Sequence, residues 1–148
     1  MKVKEIMTKD VITLKPDVNA KEALEILFKR QISGLPVIDE EGKLIGMFTE
    51  KDILTYTLPS YIEKVGRFIY EENPKSTRKK LADLSNINVS QIMRKDVVTV
   101  SEDTTLCEVA RMMLTKKARR IPVLNNSGKI SGIIARGDIV RALVKEAE

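Results

Sequence analysis

The sequence predicts an α/β (α+β) fold in which two βαββα repeats pack with pseudo-twofold symmetry and a helical insert separates them. Residues 3–54 align with residues 89–140 at a constant offset of 86 without a gap, and about sixteen of the 52 positions are identical. Each copy alternates short β-branched runs with a stretch of helical period. A unit this short cannot bury both its sheet and its helices alone, so two copies in one chain are expected to share a core. The expected boundaries are 1–58 for the first repeat, 59–88 for the insert and 89–148 for the second repeat.

Each repeat opens on Ile-Met-x-x-Asp-Val, at Ile6-Met7 with Asp10-Val11 and at Ile92-Met93 with Asp96-Val97. The β-branched runs Val11–Leu14 and Val97–Val100 read as first strands. Ala20, Ala23, Leu24 and Leu27 then fall at i, i+3, i+4 and i+7, and Leu106, Val109, Ala110 and Met113 repeat that stripe, which predicts an amphipathic helix in each copy. Asn19 with Glu22 and Thr105 with Glu108 supply capping-box starts. Strands are expected at Leu35–Asp39 and Ile121–Asn125, and again at Lys43–Phe48 and Lys129–Ile134, joined by turns at Glu41-Gly42 and Ser127-Gly128. A final helix begins near Glu50 and near Arg136. Two such halves packed sheet to sheet would leave two equivalent clefts between them.

The insert has no counterpart. Pro59 ends the preceding helix, and Ser60 with Glu63 can cap a new one that carries Ile62, Val65 and Ile69 on one face. Asn73-Pro74 breaks it, and a short polar helix is expected around Thr77–Leu84. Tyr56, Tyr61, Phe68 and Tyr70 crowd into this stretch and read as packing against the repeats or at a dimer contact, ahead of a base-stacking platform.

Composition narrows the function. With 43% hydrophobic and 32% charged residues the chain reads as an ordinary soluble globular protein. No apolar run approaches the roughly 20 residues a spanning helix needs, and Met1–Met7 is not followed by a secretory-type apolar stretch. The expectation is a cytoplasmic protein without membrane association. Cys107 is the one cysteine, so no intrachain disulfide can form, and its helical setting reads as a buried, inert thiol. The chain has no histidine, which removes Ser-His-Asp and Cys-His nucleophile systems and every His-containing zinc site. A net charge of +5 permits anionic partners without demanding them.

The pattern Ile-Met-x-x-Asp-Val, Leu/Ile-Pro-Val, a Gly turn and Gly-x-x-Thr-x-x-Asp-Ile resembles the cystathionine-β-synthase-type (CBS) repeat family. It stands here as Ile6-Met7, Asp10-Val11, Leu35-Pro36-Val37 and Gly46 through Thr49 to Asp52-Ile53, and again from Ile92 to Ile139. The resemblance implies a regulatory pair of repeats that binds AMP, ADP, ATP, S-adenosylmethionine or methylthioadenosine. It also implies that the Thr touches phosphate, that the Asp holds the ribose hydroxyls, and that the opposite repeat supplies the adenine pocket. On that footing the first cleft combines Met47, Thr49, Lys51 and Asp52 with Met93, Asp96, Val97, Val98, Arg119, Arg120, Ile121 and Pro122. The second combines Ile133, Ala135, Arg136 and Asp138 with Met7, Asp10, Val11, Ile12, Ser33, Gly34, Leu35 and Pro36. No metal site and no required cofactor are expected.

The residues suit such a ligand on their own chemistry. Thr49 opens a helix, where free N–H groups attract phosphate, and an acidic residue one turn in can accept two hydrogen bonds from a cis-diol. Thr-x-x-Asp is equally a capping box that merely starts a helix, and both readings stand at this point. The second copy has Ala135 in place of Thr49 yet keeps Asp138, which favours a ligand role for the Asp. Arg119 and Arg120 suit a phosphate chain or stand as solvated surface charges. The first cleft is therefore expected to bind phosphorylated adenosine more tightly.

Two other classes compete. Lys75, Arg78, Lys79 and Lys80 form a basic patch that nucleic acid could use, although no base-reading motif accompanies it. Asp10, Asp52, Asp96 and Asp138 could serve magnesium-dependent catalysis, but no paired-carboxylate spacing argues for it. The resulting expectation is a non-enzymatic, ligand-sensing module that acts on an unidentified protein in trans and pairs with a second copy as a homodimer.

Overall fold

The computed structural model describes residues 1–58 and 75–148, with the side chains of the second stretch described from residue 77. A 3-10 turn at Val3–Glu5 opens the chain. Then come helix α1 (Ala20–Arg30), strands β1 (Gly34–Ile38) and β2 (Leu44–Thr49) and helix α2 (Glu50–Thr57). The second stretch holds α3 (Lys75–Ala82), a 3-10 turn at Asp83–Asn86, α4 (Val89–Ile92), β3 (Val100–Ser101), α5 (Leu106–Thr115), β4 (Arg120–Leu124), β5 (Ile130–Ala135) and α6 (Arg136–Ala147).

The expected hairpins form for an identifiable local reason. Gly42 and Gly128 take φ of 85° and 77°, which a side chain would resist. The acceptor that closes each turn is the Asx side chain before it. Asp39 Oδ1 accepts from the N–H groups of Glu41 and Lys43, and Asn125 Oδ1 accepts from those of Ser127 and Lys129. β1 pairs with β2; in the other sheet β3 runs parallel to β4, and β4 antiparallel to β5. The caps at α1 and α5 are half-boxes: Asn19 Oδ1 accepts from Glu22 N at 2.8 Å and Thr105 Oγ1 from Glu108 N at 3.3 Å.

Three expectations change. The first strand of repeat one shrinks to a single parallel bridge between Leu14 and Val37, while repeat two keeps only Val100–Ser101 of Val97–Val100. Pro16, which has no N–H to continue the ladder past Leu14, stands where the second copy has Glu102, so only the second copy extends its pairing to Ser101. The polar helix starts at Lys75 rather than Thr77, and its end passes into the 3-10 turn. Cys107 is exposed, because it lies one residue off the buried stripe Leu106, Val109 and Met113. The expected helix with Ile62, Val65 and Ile69, its signals Pro59, Ser60, Glu63 and Asn73-Pro74, and the aromatics Tyr61, Phe68 and Tyr70 lie outside the described residues. Tyr56 is described: Lys80 Nζ sits 5.3 Å from the centre of its ring.

The chain divides into two compact units that do not follow the repeat boundaries. One comprises Met1–Ile12, Asp39–Leu44 and Asp96–Glu148; the other comprises Thr13–Ile38 and Ile45–Lys95. In the first unit, Val3 is fully buried in a core with Val109, Ile121, Val123 and Ile134. Val3 N–H donates to Thr104 O at 2.8 Å, and Thr8 exchanges backbone bonds with Ile133, each 2.9 Å. In the second unit Ala23, Leu27, Val37, Phe48 and Val89 are fully buried. There Val89 N–H donates to Val18 O at 2.8 Å, and Arg94 exchanges two 2.9 Å bonds with Met47. Each Ile-Met segment thus completes a unit built mainly from the other repeat.

Candidate functional site

In the second unit, the chain leaves β2 and turns into α2 at Thr49, an extended N-cap with φ −133° and ψ 165°. Thr49 and Asp52 satisfy each other. Asp52 Oδ2 accepts from Thr49 N at 2.8 Å and from Thr49 Oγ1 at 3.0 Å, and Thr49 Oγ1 accepts from Asp52 N at 3.3 Å. Oδ1 of Asp52 takes part in none of these bonds, so a half-buried carboxylate oxygen is left at the tip of a helix. Burial pushes the Asp52 carboxyl above the usual carboxylate range; the Thr49 bonds and the charges of Arg94 and Lys51 pull it back only in part.

Met47 and Met93, both expected at this site, are brought together with it, because Met47 bridges to Arg94. Ser33 and Gly34, expected at the other site, also lie here. Ser33 O accepts from Glu50 N at 2.9 Å, and a Cβ on Gly34 would stand 2.8 Å from Thr49 Cγ2. Leu35 and Pro36 are buried in β1, and Pro36 O accepts from Leu14 N at 2.9 Å. Lys51 is exposed. Arg94 is the residue that sequence reasoning missed. It sets a positive charge near Asp52, and its counterpart in repeat one, Thr8, gave no hint of that.

The first unit holds the matching tip at α6. Asp138 Oδ2 accepts from Ala135 N at 2.8 Å, and Ala135 has no hydroxyl to add. Oδ1 is occupied: Arg141 Nη2 donates to it at 2.7 Å. Arg141 was also missed; it replaces Thr55 of the first copy. Gly137 makes room for it, since a Cβ there would lie 3.2 Å from Arg141 Nη1. Met7 and Ile133 lie beside this tip through the Thr8–Ile133 bridge, with the Met7 sulfur against Gly132. Arg119 and Arg136, expected at different sites, line one cavity of this unit, and Arg119 O accepts from Arg136 N at 2.9 Å. Arg120 is half-buried, and Ile121 and Pro122 are buried in β4. Asp10 and Asp96 are exposed, while Val11, Ile12, Val97 and Val98 are half-buried.

The basic patch on α3 exposes Arg78, Lys79 and Lys80, but Lys80 is turned onto Tyr56. Among the described residues, no three cysteine or acidic side chains come together as a metal site, and no helix is long and apolar enough to cross a membrane.

The duplicated tips and hairpins correspond to a known repeat. The CBS domain family matches residues 3–58 and again residues 89–145. The chain belongs to the CBS domain family. Among CBS proteins, it is 34% identical over 151 residues to CBSX1, a chloroplastic protein of Arabidopsis thaliana, covering 97% of this chain and 64% of that protein. The chain thus spans somewhat under two thirds of that relative. CBSX2 of Arabidopsis thaliana, a CBS-pair protein, has a crystal structure that superposes with TM-score 0.79 at 29% identity, covering 99% of this chain and 96% of that one. Its complex with AMP superposes with TM-score 0.76, again at 29% identity, covering 99% and 98%. The CBS pair of protein MJ0100, solved with methylthioadenosine and S-adenosylmethionine, gives TM-score 0.71 at 28% identity, covering 99% and 98%.

Proposed function

We propose that this chain is a non-enzymatic regulatory CBS pair that binds adenosine-bearing ligands and passes the signal to a separate protein in trans. The reading places it in the cytoplasm as a homodimer and requires no cofactor. What carries it is Asp52: a half-buried carboxylate at a helix tip, held on one oxygen by Thr49 and, among the described residues, without a hydrogen bond on the other, with Arg94 nearby. A ribose diol needs such an acceptor, and a phosphate is drawn to the helix start and the cation. CBSX2 with AMP and MJ0100 with methylthioadenosine and S-adenosylmethionine support the ligand class. AMP, ADP and ATP are the preferred candidates at the Asp52 tip. The Asp138 tip, without the hydroxyl and with its carboxylate engaged by Arg141, is proposed as the weaker site and suits a less charged ligand.

Calorimetric titration with AMP, ADP, ATP, S-adenosylmethionine and methylthioadenosine tests this on the native chain, Asp52→Ala and Asp138→Ala. Asp52→Ala should remove the tighter event, and Asp138→Ala the weaker one. If neither substitution changes any affinity, the site assignment is wrong.

A further inference from the structure

We propose that the α5/α6 groove of one copy receives the α1/α2 ridge of a second copy, so that unlike repeats meet in the homodimer. The inference rests on the homodimer reading above and adds its orientation. The groove lies within one unit and encloses about 530 Å³. Its floor and walls are apolar, and its rim carries Lys117, Arg119 and Arg136. Beside it Leu114 is 79% exposed and Val140 54%. An apolar face of this kind, rimmed by charge, marks an interaction surface.

Two features distinguish the same face of the other repeat. The first is shape. Ala110 and Ala118, whose small side chains help keep the groove open, have Leu24 and Ile32 as their counterparts, and the exposed Leu114 and Val140 become Phe28 and Leu54. Phe28 and Leu54 stand out at 63% and 57% exposure. Repeat one therefore carries bulk where repeat two has a hollow. The second feature is charge. The three cations of the groove rim correspond to Gln31, Ser33 and Glu50, a change from three positive charges to one negative.

Both features oppose like-with-like pairing. Groove against groove would bring six cations together over an unfilled hollow, and burying like charge against like charge costs affinity. Ridge into groove fills the space with Phe28 and Leu54 and sets Glu50 among Lys117, Arg119 and Arg136. A second copy of this chain supplies that surface without any further partner.

Sedimentation velocity on four full-length proteins tests the pairing: native, Arg136→Glu, Glu50→Arg and the double swap. Both substituted positions, Glu50 and Arg136, are exposed, and thermal melts check that each variant folds. The native chain should dimerise. Each single reversal should weaken dimerisation about tenfold or more, because it sets like charges face to face, and the double swap should restore it. If the singles leave dimerisation unchanged, or the double swap is no better than the singles, unlike pairing is overturned while the homodimer stands. A native chain that stays monomeric at every concentration ends both readings and leaves the groove to a partner of other chemistry.

Discussion

The sulfur of Met93 lies so close to Gly46 that a Cβ on residue 46 would stand 2.5 Å from it, and 2.9 Å from the carbonyl oxygen of Arg94. The sulfur could swing aside, but the carbonyl oxygen belongs to the backbone pairing of Met47 with Arg94 and cannot. Gly46→Ala should therefore cost about 1–3 kcal/mol, the usual range for overpacking, and Met93→Ala should rescue it only in part. Urea denaturation of the three variants checks this. Equal stability of Gly46→Ala and the native chain would show that the segment does not press on β2.

Val3 should matter as much as any core residue despite its place near the start of the chain. It is fully buried among residues of the second repeat, so Val3→Ala should lose about 2 kcal/mol of stability. Val3→Asp should prevent that unit from folding, because an unpaired charge would be left in its core. Lys4→Ala is the control. Lys4 pairs with Asp103 at 3.0 Å on the exposed surface, where such a pair contributes little, and its loss should not shift the thermal midpoint measurably.

Much of this was legible in the residues and part was not, for physical reasons. Gapless duplication, the Glu41-Gly42 and Ser127-Gly128 turns and the i, i+3, i+4 stripes each report local structure, and the hairpins, α1, α5 and the start of α2 at Glu50 follow from them. Which copy an Ile-Met segment completes is a long-range question: Met7 carries the same local pattern whether it packs on Gly132 or on Gly46, and the expected grouping of Met93 with Met47 came from the family resemblance alone. The shortened first strands were not legible, since Val11–Thr13 and Val97–Thr99 are as β-branched as the residues that do pair. Arg94 and Arg141 escaped notice because they lie beside the motif positions, Arg94 just after Ile92-Met93 and Arg141 a turn after Asp138, and not in them. Both of these residues are places where the copies differ, with Thr8 and Thr55 opposite them.

Asp52 gives the fold a pH dependence of definite sign. Its carboxyl is raised above the ordinary value of 3.8, chiefly by burial, so the folded chain holds that proton at pH values where the unfolded chain has released it. The stabilisation from this site is complete below the unfolded value and is lost as pH rises through the folded one. At neutral pH the ionised group stands in the fold at a cost. Asp52→Asn keeps an oxygen to accept from Thr49 N–H but removes the charge. It should melt higher than the native chain at pH 7, the gap should close on acidification below 3.8, and adenosine-ligand binding at this tip should weaken. A native chain that grows more stable relative to Asp52→Asn as pH rises would reverse the sign.

Arg141 should be what holds back the second ligand site. A diol approaching Asp138 finds Oδ1 already bonded to Arg141 Nη2 at 2.7 Å, and it must displace that guanidinium or share the oxygen with it. Arg141 is 75% exposed, and pairs that open to solvent are worth about 0.2–1 kcal/mol, so the competition amounts to a factor of about 1.4–5 in affinity. Arg141→Thr, the residue of the first copy, should tighten adenosine-ligand binding by that factor when measured in an Asp52→Ala background that silences the other tip. Arg141→Lys should fall between the two. The converse change carries the argument to the first site: Thr55→Arg with Lys51→Gly supplies both the guanidinium and the space that Gly137 gives it, and binding at Asp52 should weaken correspondingly. If Arg141→Thr lowers affinity instead, Arg141 is itself a ligand contact.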